Sequence, residues 1–184
     1  MKVLFACGGT AGHINPAVAV ATELRRRVPD CDILFVGNPD GMEATLVPRA
    51  GFAFAPFRSL GIQRRLTWSN IKLNIRSVCL LATSRARANK LLRDFAPDVV
   101  MGTGSYISAP ILLAAAAMHI PCMTHEANAL PGVSNRMVAL KVDRFLIAVP
   151  EAEKRLPPRP DYIVTGNPVR PEILAADRKA ARAR

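Results

Sequence analysis

Short apolar runs alternate along the whole chain with stretches of helical period. Val3–Cys7, Ile33–Val36, Phe52–Phe57, Asp98–Met101, Pro121–Thr124, Arg144–Val149 and Tyr162–Thr165 read as strands. Several are continuously apolar and β-branched, the pattern of strands covered on both faces. Between them, Pro16–Arg27, Gly41–Ala50, Ile71–Phe95, Ile107–Met118 and Gly132–Val142 carry helical patterning. Pro16 fits the preference of proline for the first position of a helix. This alternation predicts an α/β fold, a doubly wound and mostly parallel sheet. Ligands of such sheets sit at the carboxyl ends of the strands, so the loops there hold the candidate chemistry.

The 184 residues suit one domain, and with half of them hydrophobic and 21% charged the chain is not a disordered one. No apolar run reaches the ~18–20 residues of a membrane span. The opening Met1–Cys7 has too short an apolar stretch for a secretory signal, which predicts a cytosolic protein. Cys7, Cys31, Cys79 and Cys122 form no C-x-x-C pair and read as reduced, mostly buried thiols rather than a zinc site or a disulfide framework.

Charge adds one feature that the apolar pattern does not show. The net charge is +11, yet no acid lies between Glu43 and Asp94, while Arg49, Arg58, Arg64, Arg65, Lys72, Arg76, Arg85, Arg87, Lys90 and Arg93 all do. Such asymmetry points to a polyanionic partner, with a plain solvated basic face as the alternative. Arg64, Arg65, Trp68, Lys72, Ile75 and Arg76 interleave cations with apolar side chains, a pattern that faces an anionic membrane surface. Trp68 is the one aromatic residue from Arg58 to Lys90, which leaves little for nucleic-acid stacking.

Four polar, glycine-bearing loops follow predicted strands. The first is Gly8-Gly9-Thr10-Ala11-Gly12-His13. Its glycines let backbone N–H groups approach a phosphate at the positive end of a helix. It is not the dinucleotide fingerprint, because Thr10 replaces the second glycine, and not a P-loop, because His13 follows Gly12. The others are Gly102–Ser108, His125–Gly132 and Gly166–Arg170. Four such loops at one end of a sheet predict an anion-binding site that includes a histidine. His119, at a predicted helix end, reads as an ordinary surface or packing residue.

At this point the chain resembles the N-terminal half of the MurG family of N-acetylglucosaminyltransferases. The residues that carry the resemblance are Gly8–His13 with Pro16-Ala17, and Gly41-Met42-Glu43-Ala44 with Leu46-Val47-Pro48. They continue with Pro97-Asp98-Val99-Val100, Gly102–Ser108, His125-Glu126 with Asn128 and Pro131-Gly132, Ser134-Asn135-Arg136, and Gly166–Arg170. The likeness runs from Lys2 to about Leu174, and departs at Ala11 and Ser105, where the family has glycine. A methyl group at Ala11 would crowd a phosphate if that position needs positive φ.

The resemblance implies a Rossmann-like domain, one half of a two-domain GT-B glycosyltransferase. Residues 1–165 would form the acceptor domain and 166–184 the start of the interdomain linker and a basic tail, with the donor-binding domain absent. It implies transfer of N-acetylglucosamine from UDP-N-acetylglucosamine to lipid I, giving lipid II with inversion, in peptidoglycan synthesis. His13 is the first candidate for the base, with simple hydrogen bonding of the acceptor phosphate as its alternative; Glu126 is the second, with loop stabilisation as its alternative. Thr10, Ala11, Gly12, Asn128 and Arg170 are the implied donor contacts, and Gly104, Ser105, Tyr106 and Asn135 the implied acceptor or diphosphate contacts. No cofactor and no metal are implied. The expected partners are the two substrates, the anionic inner membrane surface and, in a split enzyme, a separate donor-domain chain, but not nucleic acid. The expected location is the cytoplasmic face of the bacterial cell membrane, held peripherally. Two other readings stand beside this one: a non-catalytic domain that binds a polyprenyl diphosphate, and a transferase for another lipid acceptor.

Overall fold

The computed structural model describes residues 1–59, 83–170 and 173. Seven strands form one all-parallel sheet: β1 (Lys2–Ala6), β2 (Asp32–Gly37), β3 (Ala53–Pro56), β4 (Val99–Gly102), β5 (Cys122–Glu126), β6 (Arg144–Ile147) and β7 (Tyr162–Val164). Their order across the sheet is β3-β2-β1-β4-β5-β6-β7. The helices are α1 (Ala11–Arg27), α2 (Glu43–Arg49), α3 (83–95), α4 (Ser105–Ala117) and α5 (Val133–Val138), and a short 3₁₀ helix spans Pro150–Arg155. The predicted α/β class and all seven strands are present, with ends displaced by a few residues.

Strand β1 shows why the sheet is buried on both sides. Val3, Phe5 and Cys7 enter one core with Ile14, Ala17, Val18 and Ala21 of α1 and with Ile33 and Phe35 of β2. Leu4 and Ala6 enter the other with Ile107, Ile111 and Leu112 of α4, Ala88 and Leu92 of α3, and Phe145 and Ile147 of β6. Alternate side chains serve opposite faces, so a strand covered twice is apolar at every position. Phe5 and Phe35 stack with centroids 5.0 Å apart. Cys7, Cys31 and Cys122 are buried free thiols, and burial pushes Cys122 up to about 11.

The N-terminus of α1 departs from expectation. The helix starts at Ala11, so Pro16 lies at its sixth position rather than its first. Pro110 occupies the equivalent sixth position of α4. A proline there has no N–H for the carbonyl four residues back. In α4 that carbonyl, of Tyr106, accepts the Ser59 hydroxyl at 3.3 Å instead. The other end of α4 closes through His119, which is exposed at φ 56 while its N–H donates to Ala116 and that of Ile120 to Ala115. This is the Schellman closure, with histidine in the place usually held by glycine.

Candidate functional site

β1 and β4 are neighbours at the point where the strand order reverses, so the loops that follow them meet over the sheet. Each leads directly into a helix. Thr10 caps α1 in extended conformation (φ −139, ψ 157) without a side-chain hydrogen bond, and the first turn holds no acid. Gly104 caps α4 at φ 91, again with no side-chain cap and no acid. Among the described residues, the N–H groups of Ala11 and Gly12 in α1 and of Ser105 and Tyr106 in α4 have no side-chain partner and lie at the positive ends of the helix dipoles, where an anion is stabilised.

His13 is the third residue of α1 and joins the two loops. Its Nδ1 lies 2.8 Å from the Thr103 carbonyl oxygen, and the Thr103 hydroxyl donates back to the His13 carbonyl at 2.6 Å. A carbonyl can only accept, so Nδ1 carries a hydrogen, and in the neutral ring Nε2 is the nitrogen with the lone pair. Gly104 makes room for this ring: a Cβ there would lie 2.9 Å from His13 Nδ1 and 3.0 Å from Cε1. Ser105 sits at φ 79, and its hydroxyl oxygen accepts the Ile107 N–H at 3.2 Å. Ala11, by contrast, opens α1 and is not among the residues of positive φ, so the crowding expected from its methyl group does not arise.

A second polar cluster lies under the loop after β5. Glu126 is 1% exposed, and both carboxylate oxygens are occupied. Oε1 accepts the Asn128 N–H at 2.9 Å and the Asn128 amide at 2.8 Å; Oε2 accepts the Gly132 N–H and the Asn135 amide, each at 2.9 Å. Those four bonds use the lone-pair sites of the carboxylate, leaving none for a substrate proton. These bonds tie the loop together, the alternative given for Glu126 beside the role of base. Asn135, also 1% exposed, donates to Glu126 and the His125 carbonyl and accepts the Thr124 hydroxyl at 2.8 Å. It braces the loop from below, and its amide nitrogen would lie 3.4 Å from a Cβ placed on Gly104, beside the His13 ring.

His125 is buried and its Nε2 lies 3.0 Å from the Gly166 carbonyl oxygen, so the ring holds the segment that leaves β7. Burial lowers its pKa, against the smaller opposing effects of the Gly166 carbonyl and Glu126. Thr10, Asn128 and Arg170 are exposed in the loops after β1, β5 and β7, Gly12 is exposed in the first turn of α1, and Tyr106 is half-buried at the start of α4. Arg64, Arg65, Trp68, Lys72, Ile75 and Arg76 lie outside the described residues. Among the described residues no group of three His, Cys, Asp or Glu side chains is placed to hold a metal ion, and no helix is long and apolar enough to cross a membrane. Two residues lie in motifs that carry the resemblance, yet their structural role is not readable from the sequence: Thr103, which locks His13, and Glu43, which lies under the first glycine loop. Both act on residues far away in the chain.

The fold is one Rossmann-like domain in which the N-termini of α1 and α4 converge at the switch point of the sheet. Residues 3–147 match the glycosyltransferase family 28 N-terminal domain, and the chain belongs to that family. It is 42% identical over 182 residues to the UDP-N-acetylglucosamine–N-acetylmuramyl-(pentapeptide) pyrophosphoryl-undecaprenol N-acetylglucosamine transferase of Acetivibrio thermocellus, and 43% identical over 184 residues to that of Moorella thermoacetica. Each match covers 99% of this chain and 48% of the relative, so the chain spans about half the length of these curated relatives. Among solved structures, Acinetobacter baumannii MurG is similar with a TM-score of 0.72 and 26% identity, over 90% of this chain and 46% of that one.

Proposed function

We propose that this domain forms the acceptor-binding half of a transferase that moves N-acetylglucosamine from UDP-N-acetylglucosamine to lipid I. The observation that carries the reading is His13, locked by Thr103 between two open helix N-termini with Nε2 as its free acceptor. His13 Nε2 takes the proton of the acceptor hydroxyl as its oxygen bonds to the anomeric carbon and the bond to UDP breaks. The N–H groups of Thr10–Gly12 and of Gly104–Tyr106 face the diphosphates of donor and acceptor, and Asn128 and Arg170 reach toward the donor from the later loops. Glu126 and Asn135 keep the Asn128 loop in place. UDP-sugar specificity belongs to the C-terminal half found in the longer relatives.

The acid-free basic segment supports a peripheral place on an anionic membrane. So does the open groove of about 540 Å³ between α3, α4 and α5, lined by Pro110, Leu113, Met137 and Leu140 with Arg85 and Lys141 among its walls. Met137 and Leu140 are 55% and 61% exposed, an apolar surface bounded by cations.

The experiment joins this chain, through its exit segment, to the C-terminal half of the Moorella thermoacetica relative and supplies UDP-N-acetylglucosamine with a lipid I analogue. Lipid II formation that depends on His13 is expected. A fusion that folds and binds the donor yet transfers nothing would refute the reading.

A further inference from the structure

Glu43 is the first residue of α2, and its side chain is fully buried at 0% exposure beneath the loop that follows β1. One carboxylate oxygen, Oε2, accepts the Gly9 N–H at 3.2 Å, and the other, Oε1, accepts the Asn38 N–H at 2.8 Å. It therefore ties the β1–α1 loop to the β2–α2 loop from below. Three glycines from three separate segments make the space for it. A Cβ at Gly8, Gly37 or Gly41 would overlap the Glu43 side chain within van der Waals contact. The cradle accordingly fits the Glu43 side chain only with glycine at all three positions, although none of the three has positive φ.

A carboxylate buried without water is costly unless its lone pairs are met by donors, and here the donors are backbone N–H groups of the loops themselves. The consequence falls on Gly9, held at φ 83 immediately before the cap of α1. With its N–H turned down to Glu43, the chain leaves Gly9 so that Thr10, Ala11 and Gly12 begin the helix and His13 arrives beside Thr103. Glu126 binds the loop after β5 in the same manner, through the N–H groups of Asn128 and Gly132.

We propose that Glu43 is a positioning residue for the anion site at the start of α1: it sets the direction of the Thr10–Gly12 N–H groups without touching the ligand. The inference rests on the diphosphate reading of that loop, and the test separates the two. Amide exchange and pyrophosphate titration are followed by NMR on the 184-residue chain and on Glu43→Gln, which keeps the shape but replaces one acceptor oxygen with a donor. In the parent, the Gly9 and Asn38 amides are expected to be protected although both lie in loops. Inorganic pyrophosphate should shift the Thr10, Ala11 and Gly12 amides in a saturable way. In Glu43→Gln, protection at Gly9 or Asn38 should fall at least tenfold and pyrophosphate affinity at least fivefold, while the amides of β1 and β4 keep their protection. Parent amides of Gly9 and Asn38 that exchange freely overturn the proposal, and this arm does not depend on the variant folding. So does a Glu43→Gln chain that binds pyrophosphate as tightly as the parent. A parent that keeps both protections but shows no pyrophosphate response at Thr10–Gly12 overturns the diphosphate reading, and with it a role for Glu43 in ligand binding.

Discussion

Replacing Gly104 by alanine adds one methyl group and tests whether His13 is held as described. Gly104 has φ 91 and ψ −169, a region open essentially to glycine alone, and an alanine forced into it costs about 1–3 kcal/mol. The new Cβ would also lie 2.9 Å from His13 Nδ1 and 3.0 Å from Cε1, with the Asn135 amide nitrogen 3.4 Å away. Ordinary contact requires the ring to retreat by roughly half an ångström or more, since carbon atoms prefer about 3.5–4.0 Å. The Nδ1···O distance of 2.8 Å to Thr103 then lengthens toward the limit of a useful hydrogen bond, a further loss of about 1 kcal/mol. Together these are about 2–4 kcal/mol, and at about 2–4 °C per kcal/mol for a domain of this size the Tm should fall by about 4–16 °C. Turnover in the fused transferase should fall about 100-fold, because a displaced base no longer meets the attacking hydroxyl. Gly132→Ala is the control: its φ is −65, its Cβ would meet only Glu126 Oε2 at 3.9 Å, and Tm should move by about 2 °C or less. Thermal unfolding by circular dichroism and product assay read both variants. A Gly104→Ala chain with the parent's Tm and turnover would show that the His13–Thr103 lock is not formed as described.

His13→Ala in the fused transferase should lower kcat by about 10²–10⁴ while donor affinity changes little, as measured by steady-state kinetics and calorimetry, since a base acts mainly in the transition state. Asn135→Ala leaves a Glu126 oxygen and the Thr124 hydroxyl each without one partner in a buried cluster, and should cost about 2–3 kcal/mol in urea unfolding. The pKa of His125 is lowered by burial, so below about pH 6.5 the unfolded chain takes the proton first. Its contribution is therefore full above that range and lost as pH falls, and the urea midpoint should drop between pH 7 and pH 5 by more in the parent than in His125→Gln. Binding of the chain to phosphatidylglycerol vesicles should be lost in 1 M salt, where the Debye length is about 3 Å; equal sedimentation with neutral vesicles would refute the electrostatic reading.

Much of the architecture is legible in the amino-acid sequence. Val3–Cys7 and Ile33–Val36 are apolar without a break because helices cover both faces of the sheet, and that run length with β-branching identifies a buried parallel strand. The start of α1 is not legible in the same way, because Pro16 looks like a first-turn proline, whereas the glycine-rich segment ahead of it is already helical from Ala11. Local propensity disfavours helix at Gly12, but packing of Ile14 and Ala17 into the core at 0% exposure overrides it.

The chain's own pattern thus determined the fold class, the loops that hold the site and the family, since each of these depends on residues close together in sequence. Tertiary structure decided which of those residues are exposed and which are held by internal hydrogen bonds. His13 and Thr103 meet across 90 positions, Gly9 and Glu43 across 34, and Thr124 and Asn135 across 11. Glu126 reads in the sequence either as a base or as a loop-stabilising residue, and only the folded chain shows which groups, of Asn128, Gly132 and Asn135, meet its oxygens. The physical reason is that a hydrogen bond acts over about 3 Å of space. Which groups come that close follows from β1 and β4 lying side by side at the switch point, a pairing that chain order does not contain.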